Sequence, residues 1–382
     1  MKPPRVKLNA EAFLEHFAEL EDPRHEGLIS HLLLDIVVIA VLATICGAET
    51  WSQMETFGMQ KQELLSTLLP LPFGIPSKHT FQRLFERLDP RGFEAAFRGW
   101  IGELIVETAQ PHVAIDGKSL RGSGKGNKTG KAMHLVHAWS VQNRLLLGQL
   151  ATDKKSNEIT AIPELLKMLQ LKGSVVTIDA AGCQKAIVEG IVAAEADYAI
   201  AVKANQPKLF AAVLQALDAA TSSAPAATYS TAQDSHSGHG RYETRTVWAT
   251  DARTLPMAAQ WAGLASCVLV ESSSTWNGKV TRQRRYYISS LPHTDAEQLG
   301  RILRGHWAVE STLHWSLDVA FHEDDCLVHA GNGPENLSLV RKFALTALTR
   351  DTTLKASIPE RRKAAGWNDK YLLAVLGGGF IA

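Results

Sequence analysis

The chain has 382 residues, 45% of them hydrophobic and 21% charged, with 40 Lys and Arg against 39 Asp and Glu. That length exceeds one ordinary core and predicts two domains with an insertion, and the balance of residues is that of a globular chain rather than a disordered one. A net charge of +1 leaves no global field to attract nucleic acid, so DNA contact requires local patches; Cys46, Cys183, Cys267 and Cys326 form no CxxC pair, which argues against a disulfide framework or zinc knuckle.

Residues 1–110 read as a helical N-terminal domain with DNA binding as one role. Lys2, Arg5 and Lys7 precede no apolar core, so this is no signal peptide and a reducing cytoplasm fits. A short amphipathic segment over 12–20 closes at Asp22-Pro23-Arg24. The apolar run 32–46 contains Asp35 and is shorter than the ~20 residues of a membrane span, so it predicts a buried helix that stops at Gly47. After a helical stretch over 50–69, Pro70, Pro72, Gly74 and Pro76 make a rigid loop. Ser77 then N-caps a helix carrying Lys78, His79, Gln82 and Arg83. This resembles a helix-turn-helix, although an ordinary helical hairpin explains the same residues.

From Pro111 strands alternate with helices. Val113-Ala114-Ile115-Asp116-Gly117-Lys118 predicts a buried strand ending in an acid, and the run over 175–182 repeats the pattern with Asp179. Between them lie a basic glycine-rich loop over 120–131, with Arg121, Lys125, Lys128 and Lys131, a hairpin about Asn143-Arg144, and a helix over 157–171. The loop suits a polyanion or is simply solvated. A helix over 184–194 and a strand over 198–202 follow, running into Lys203-Ala204-Asn205-Gln206. Three strands, helix, strand, helix, strand is the order of a ribonuclease H-like core. It sets the first and fourth strands side by side and brings Asp116 and Asp179 to one sheet edge, where ligands of open α/β sheets bind. Either aspartate alone equally reads as a turn cap.

Residues 219–232 read as an Ala/Ser/Thr-rich linker into a β-insertion at about 225–290. Strands over 241–249, 267–272 and 279–289 turn at Asn277-Gly278. His239, Arg241, Arg245, Arg282, Arg284 and Arg285 either track a phosphate backbone or decorate a solvated sheet face. Residues 295–321 read as one long helix with His306, Glu310 and His314 four apart on one face. That face could press Glu310 against the aspartates; the alternative is an ion pair between Glu310 and Arg304. Converging carboxylates repel unless a cation joins them. Divalent Mg²⁺ or Mn²⁺ resolves the conflict, two ions ~4 Å apart activating one oxygen and stabilising another. Asp318, Glu323, Asp324 and Asp325 compete as ligands. Residues 351–382 read as a C-terminal tail after a catalytic domain over 111–350.

Several blocks together resemble the DDE transposases of bacterial insertion sequences, in the H-repeat-associated protein group. They are Asp22-Pro23-Arg24, Gly74-Ile75-Pro76-Ser77, Ala114-Ile115-Asp116-Gly117-Lys118 and Ile178-Asp179-Ala180. Further along are Lys203-Ala204-Asn205-Gln206, His239-Gly240-Arg241, Tyr287-Ile288-Ser289-Ser290, and Arg304-Gly305-His306-Trp307 with Glu310 and Leu313-His314-Trp315. The resemblance implies a mixed α/β ribonuclease H-like core with a β-insertion, and Asp116, Asp179 and Glu310 as the metal-binding catalytic triad. It also implies double-stranded DNA as partner at element ends and target, a homo-oligomer when ends are paired, and a cytoplasmic, nucleoid-associated enzyme. Leu303, His306 and Leu317 stand where related transposases carry Tyr, Arg and Lys, so phosphate contact passes to His306, Arg304 or His314. The expected DNA contacts are Lys118, Arg121, Lys203, Asn205, Arg241, Arg245, Arg304, His306 and His314. The competing readings are a catalytically inactive, DNA-binding relative and a stand-alone nuclease.

Overall fold

The computed structural model describes residues 10–125, 127, 129–152, 157–222, 228–238 and 241–377. Six helices come first: α1 (Ala10–Ala18), α2 (Leu33–Ile45), α3 (Trp51–Gln60), α4 (Gln62–Ser66), α5 (Lys78–Arg87) and α6 (Pro90–Gly102). The apolar run forms α2, buried from Asp35 to Ile45; a helix apolar all round must be enclosed by its neighbours. Ser77 caps α5 by accepting the Thr80 N–H, and Asp89 caps α6 with Pro90 in its first turn. Phe81, Leu84 and Phe85 of α5 turn inward, while Lys78, His79 and Arg83 stay exposed. Among the described residues no helix is long and apolar enough to cross a membrane.

The sheet begins with β1 (His112–Leu120), the short helix α7 (Arg121–Lys125), β2 (Met133–Ser140) and β3 (Leu145–Ala151). Next come α8 (Glu158–Lys167), β4 (Val175–Ile178), α9 (Lys185–Ala193), β5 (Asp197–Val202) and α10 (Pro207–Ser222). β1, β4 and β5 run parallel, with β2 antiparallel to β1 and β3 antiparallel to β2. This is the expected ribonuclease H-like order, with β1 beside β4. β1 does not end at Asp116, as the glycine after it suggested. β2 pairs with it as far as Leu120, whereas β4 accompanies it only to Ile115.

The insertion comprises β6 (Tyr229–Gly238), β7 (Arg241–Asp251), β8 (Ser266–Trp276) and β9 (Lys279–Ser289). It extends the core sheet rather than forming a second one, because β9 pairs antiparallel with β5; the strand order is β3-β2-β1-β4-β5-β9-β8-β7-β6. Of the linker expected over 219–232, residues 219–222 belong to α10 and 229–232 to β6, while 223–227 lie outside the described residues. β6 tolerates so polar a sequence because most of its side chains are exposed and, among the described residues, it pairs with β7 at the edge of the sheet.

Beyond the sheet lie α11 (Ala296–His306), a π-helical turn (Val309–His314), α12 (Trp315–Phe321), α13 (Gly333–Arg350), α14 (Ile358–Trp367) and α15 (Asp369–Val375). Strand alternation sorts the sheet's side chains. Val113, Ile115, Val176, Ile178, Tyr198 and Ile200 pack with α8, α9 and α10 on one face. Val175 and Ala199 pack with α11 on the other, and Ala114 meets the π-helical turn and α13 there. The first helices share that last core with α12, α13 and α15. Phe343 of α13 lies at its centre, with ring centroids 5.1 Å from Phe17, 4.5 Å from Phe97 and 4.9 Å from Trp100. The stretch expected as a C-terminal tail is therefore helical through Val375, and Arg362 of α14 donates to the carbonyls of Thr44 and Ala320.

Candidate active site

The site starts from register. Ile115 on β1 and Ile178 on β4 are the last paired positions of the parallel ladder, so Asp116 and Asp179 are the next residues on neighbouring strands. Both have the parity of Ala114 and Thr177, which points them toward α11 rather than toward α8 and α9. Asp179 also caps the turn after β4, its Oδ1 accepting from the Ala181 and Gly182 N–H groups at 2.9 and 3.4 Å. The turn cap is one of the two roles the sequence allowed for this residue.

α11 reaches this edge by lying close on β1. A Cβ on Gly305 would come within 2.8 Å of the buried His112 ring, so only glycine permits the approach. Next to it His306 shares the Thr177 hydroxyl with His112, at 3.1 and 2.8 Å. Burial, then the Arg285 charge, pushes His306 down to about 4, so the ring is neutral near pH 7. The continuous helix expected over 295–321 is instead interrupted by the π-helical turn, a local widening frequent at functional sites. Glu310 sits exposed on it; its carbonyl accepts from the Trp315 N–H, and among the described residues its carboxylate has no hydrogen bond or ion pair. Its expected alternative partner, Arg304, is held by Asp234 of β6 at 2.7 Å.

Asp116, Asp179 and Glu310 line one cavity of about 390 Å³, together with Thr177, Lys203 and His306. Burial pushes the Asp116 carboxyl up to about 7, and the charges of Asp179, Glu158 and Glu310 add to the rise. Behind Asp116 stands a pair of neutral imidazoles: His137, directly across on β2, and His314, joined ring to ring at 3.0 Å, with His314 Nδ1 3.7 Å from the Asp116 carboxylate. Burial holds His314 at about 3 and His137 well below its usual range.

Carboxylate oxygens are the donors hard divalent cations prefer. Asp116, Asp179 and Glu310 bring three carboxylates to one cavity, so this donor set fits such a cation. Among the described residues no three His, Cys, Asp or Glu side chains are already close enough to hold a metal ion. The acids share a cavity without closing on one point.

The other expected site residues divide by location. Lys203 and His306 line the acid cavity. Arg245 and Arg304 line an adjoining cavity of about 840 Å³, paired with Glu243 and Asp234. Lys118 is buried on Asp318 and Asp324 at 2.6 and 3.1 Å, and Arg121 pairs with Asp324 at 3.3 Å. Two of the competing acids are thereby engaged elsewhere, and Glu323 is buried against Ser338. Asn205 braces the turn after Asp179 through the Ala180 carbonyl at 2.7 Å. His239, Lys128 and the Arg241 side chain lie outside the described residues. Sequence reasoning missed Thr177 and His137, whose only signal was their strand parity with the acids.

A comparison with known families matches the profile described as "Transposase DDE domain" to residues 107–347 and "DDE_Tnp_1-associated" to residues 14–101. The chain is 36% identical over 375 residues to "H repeat-associated putative transposase YhhI" of Escherichia coli (strain K12), covering 96% of this chain and 97% of the other. It is 37% identical over 375 residues to "Putative transposase YncI" of Escherichia coli O157:H7, covering 97% and 95%. Among solved structures, a piggyBac transposase synaptic complex with hairpin DNA aligns over 98% of this chain and 77% of its own, at 11% identity and a TM-score of 0.43. By profile and by relatives of equal length, the chain belongs to the transposase DDE family.

Proposed function

We propose that the protein is the transposase of a bacterial insertion sequence, which hydrolyses the DNA strand at its element's ends and joins the freed 3′-hydroxyl to target DNA. Both steps are in-line phosphoryl transfers. The observation that carries this reading is the single cavity shared by Asp116, Asp179 and Glu310, in which burial, and after it the charges of Asp179, Glu158 and Glu310, raise Asp116 to about 7. Asp116, Asp179 and Glu310 would hold divalent ions, two Mg²⁺ or Mn²⁺, which when bound activate water and neutralise charge on the departing oxygen. The remaining work falls to the protein's own groups. Lys203, at the end of β5, supplies a cation to the strand's phosphate. His306, neutral and fixed by Thr177, holds a set donor or acceptor position on the cavity wall. Lys118 and Arg121, committed to Asp318 and Asp324, brace α12 and the turn after it against β1.

The test is strand nicking of a duplex taken from the DNA bordering the reading frame, with and without Mg²⁺. Asp116→Asn should abolish nicking and leave duplex binding in place. Nicking by that variant at the wild-type rate would overturn the assignment of Asp116. Wild-type protein that binds the duplex but never nicks it would favour the inactive, DNA-binding alternative.

A further inference from the structure

His306, on the wall of the acid cavity, offers no charge to a phosphate: it is neutral and occupied with Thr177. The other basic groups near the acids are mostly spoken for. Arg304 is on Asp234, Arg245 on Glu243, Arg301 on Glu297 and Arg284 on Glu271, at 2.6 to 2.9 Å. His314 is buried behind Asp116 against His137.

Arg285 is different. By strand alternation it shares the face of Tyr287 on β9, the face that packs on α11. Its guanidinium lies over the Trp307 ring, 4.2 Å from the centroid, and it hydrogen-bonds the amide oxygen of Gln283 at 3.1 Å and the Tyr287 hydroxyl. Among the described residues it pairs with no carboxylate. Arg285 and Trp307 both line the acid cavity and the larger cavity beside it, so the two cavities meet at this stack. Trp307 lies one turn before Glu310, with 43% of its surface exposed. A guanidinium flattened on an indole keeps its edge N–H groups available, and that edge matches phosphate oxygens in a fork a lysine cannot copy.

We propose that Arg285, held face-on against Trp307, grips the backbone phosphate of the DNA strand where that strand passes from the acid cavity into the adjoining groove. The assignment rests on the transposase reading. Trp307 is a positioning residue: it orients the fork and limits its freedom.

The probe is a fluorescein-labelled duplex from the DNA bordering the reading frame, titrated with full-length protein over a series of salt concentrations. Arg285→Ala should weaken binding by about 5- to 10-fold near 0.1 M salt and flatten the slope of log Kd against log salt by about 0.9, the loss of one phosphate contact. Arg285→Lys should keep the slope and weaken binding by about 2- to 4-fold. Trp307→Ala should weaken binding, and Trp307→Phe should recover most of the loss. Arg282→Ala, an exposed arginine of opposite parity on the same strand, should change neither quantity. An unchanged slope in Arg285→Ala, or an equal change in Arg282→Ala, overturns the clamp while wild-type nicking leaves the transposase reading standing. Wild-type protein that binds no duplex sinks both; wild-type binding without nicking sinks only the catalytic reading, and the Arg285 slope still decides the clamp.

Discussion

Asp116 shows how one side chain couples stability to chemistry. Its ordinary value is 3.8, and in the fold burial, aided by neighbouring acids, raises it to about 7. Between those limits the folded protein keeps a proton that the unfolded chain has released. Stability therefore falls as pH rises through that window, by on the order of 4 kcal/mol at ~1.4 kcal/mol per pH unit. Asparagine has nothing to ionise. In chelator-treated protein, Asp116→Asn should be more stable than wild type at pH 8 by a few kcal/mol, and the gain should vanish near pH 4. Urea denaturation of both proteins at the two pH values reads this directly. An equal difference at both pH values would show that burial in the fold does not raise the Asp116 carboxyl. Added Mg²⁺ should raise the wild-type midpoint at pH 8 and move that of the variant much less.

At the scale of elements, the approach of α11 to β1 sets where Glu310 can stand. A methyl at Gly305 collides with the buried His112 ring at 2.8 Å, and α11 must then shift off the sheet. Gly305→Ala should destabilise by about 1–3 kcal/mol and reduce nicking more than duplex binding. Adding His112→Ala to it should cost less than the two single losses combined; strict additivity in denaturation would remove the steric explanation. Such elements were unequally legible. β1 and β4 were readable because Val and Ile runs ending in Asp116 and Asp179 have strand texture, and the βββαβαβ order dictates their adjacency. β6 was not, since its Ser, Thr, Gln and Asp side chains face water and imitate a linker; its pairing with β7 is a tertiary fact. The π-helical turn escaped for another reason. A spacing of four between His306, Glu310 and His314 reads as one helical face, yet the structure sends His306 to Thr177 and His314 to His137 and leaves Glu310 open. Nor could charge counting separate Arg285 from Arg304 and Arg245, because the carboxylates that occupy those two arrive from β6 and from within β7.

Across the whole molecule, the helices before residue 110 and those after 333 are closed by each other. α2 is buried along its length and packs on α13, while Phe343 of α13 sits among Phe17, Phe93, Phe97 and Trp100, all from α1 and α6. Arg362 of α14 spans from α2 to α12 through the Thr44 and Ala320 carbonyls. A segment that borrows its central aromatic ring cannot complete a core alone. Residues 1–110 expressed by themselves should melt without a cooperative transition. In the full chain Phe343→Ala should cost about 3–5 kcal/mol, the usual loss for a buried phenylalanine. Because α13 also packs on β2 and β3, that loss should be shared by the sheet. Amide hydrogen exchange in Phe343→Ala is then expected to speed up together in α2 and β1. If α2 loosens while β1 keeps its wild-type protection, the helical layer and the sheet are separate cooperative units, and the acid cluster on β1 survives disruption of the helices beside it.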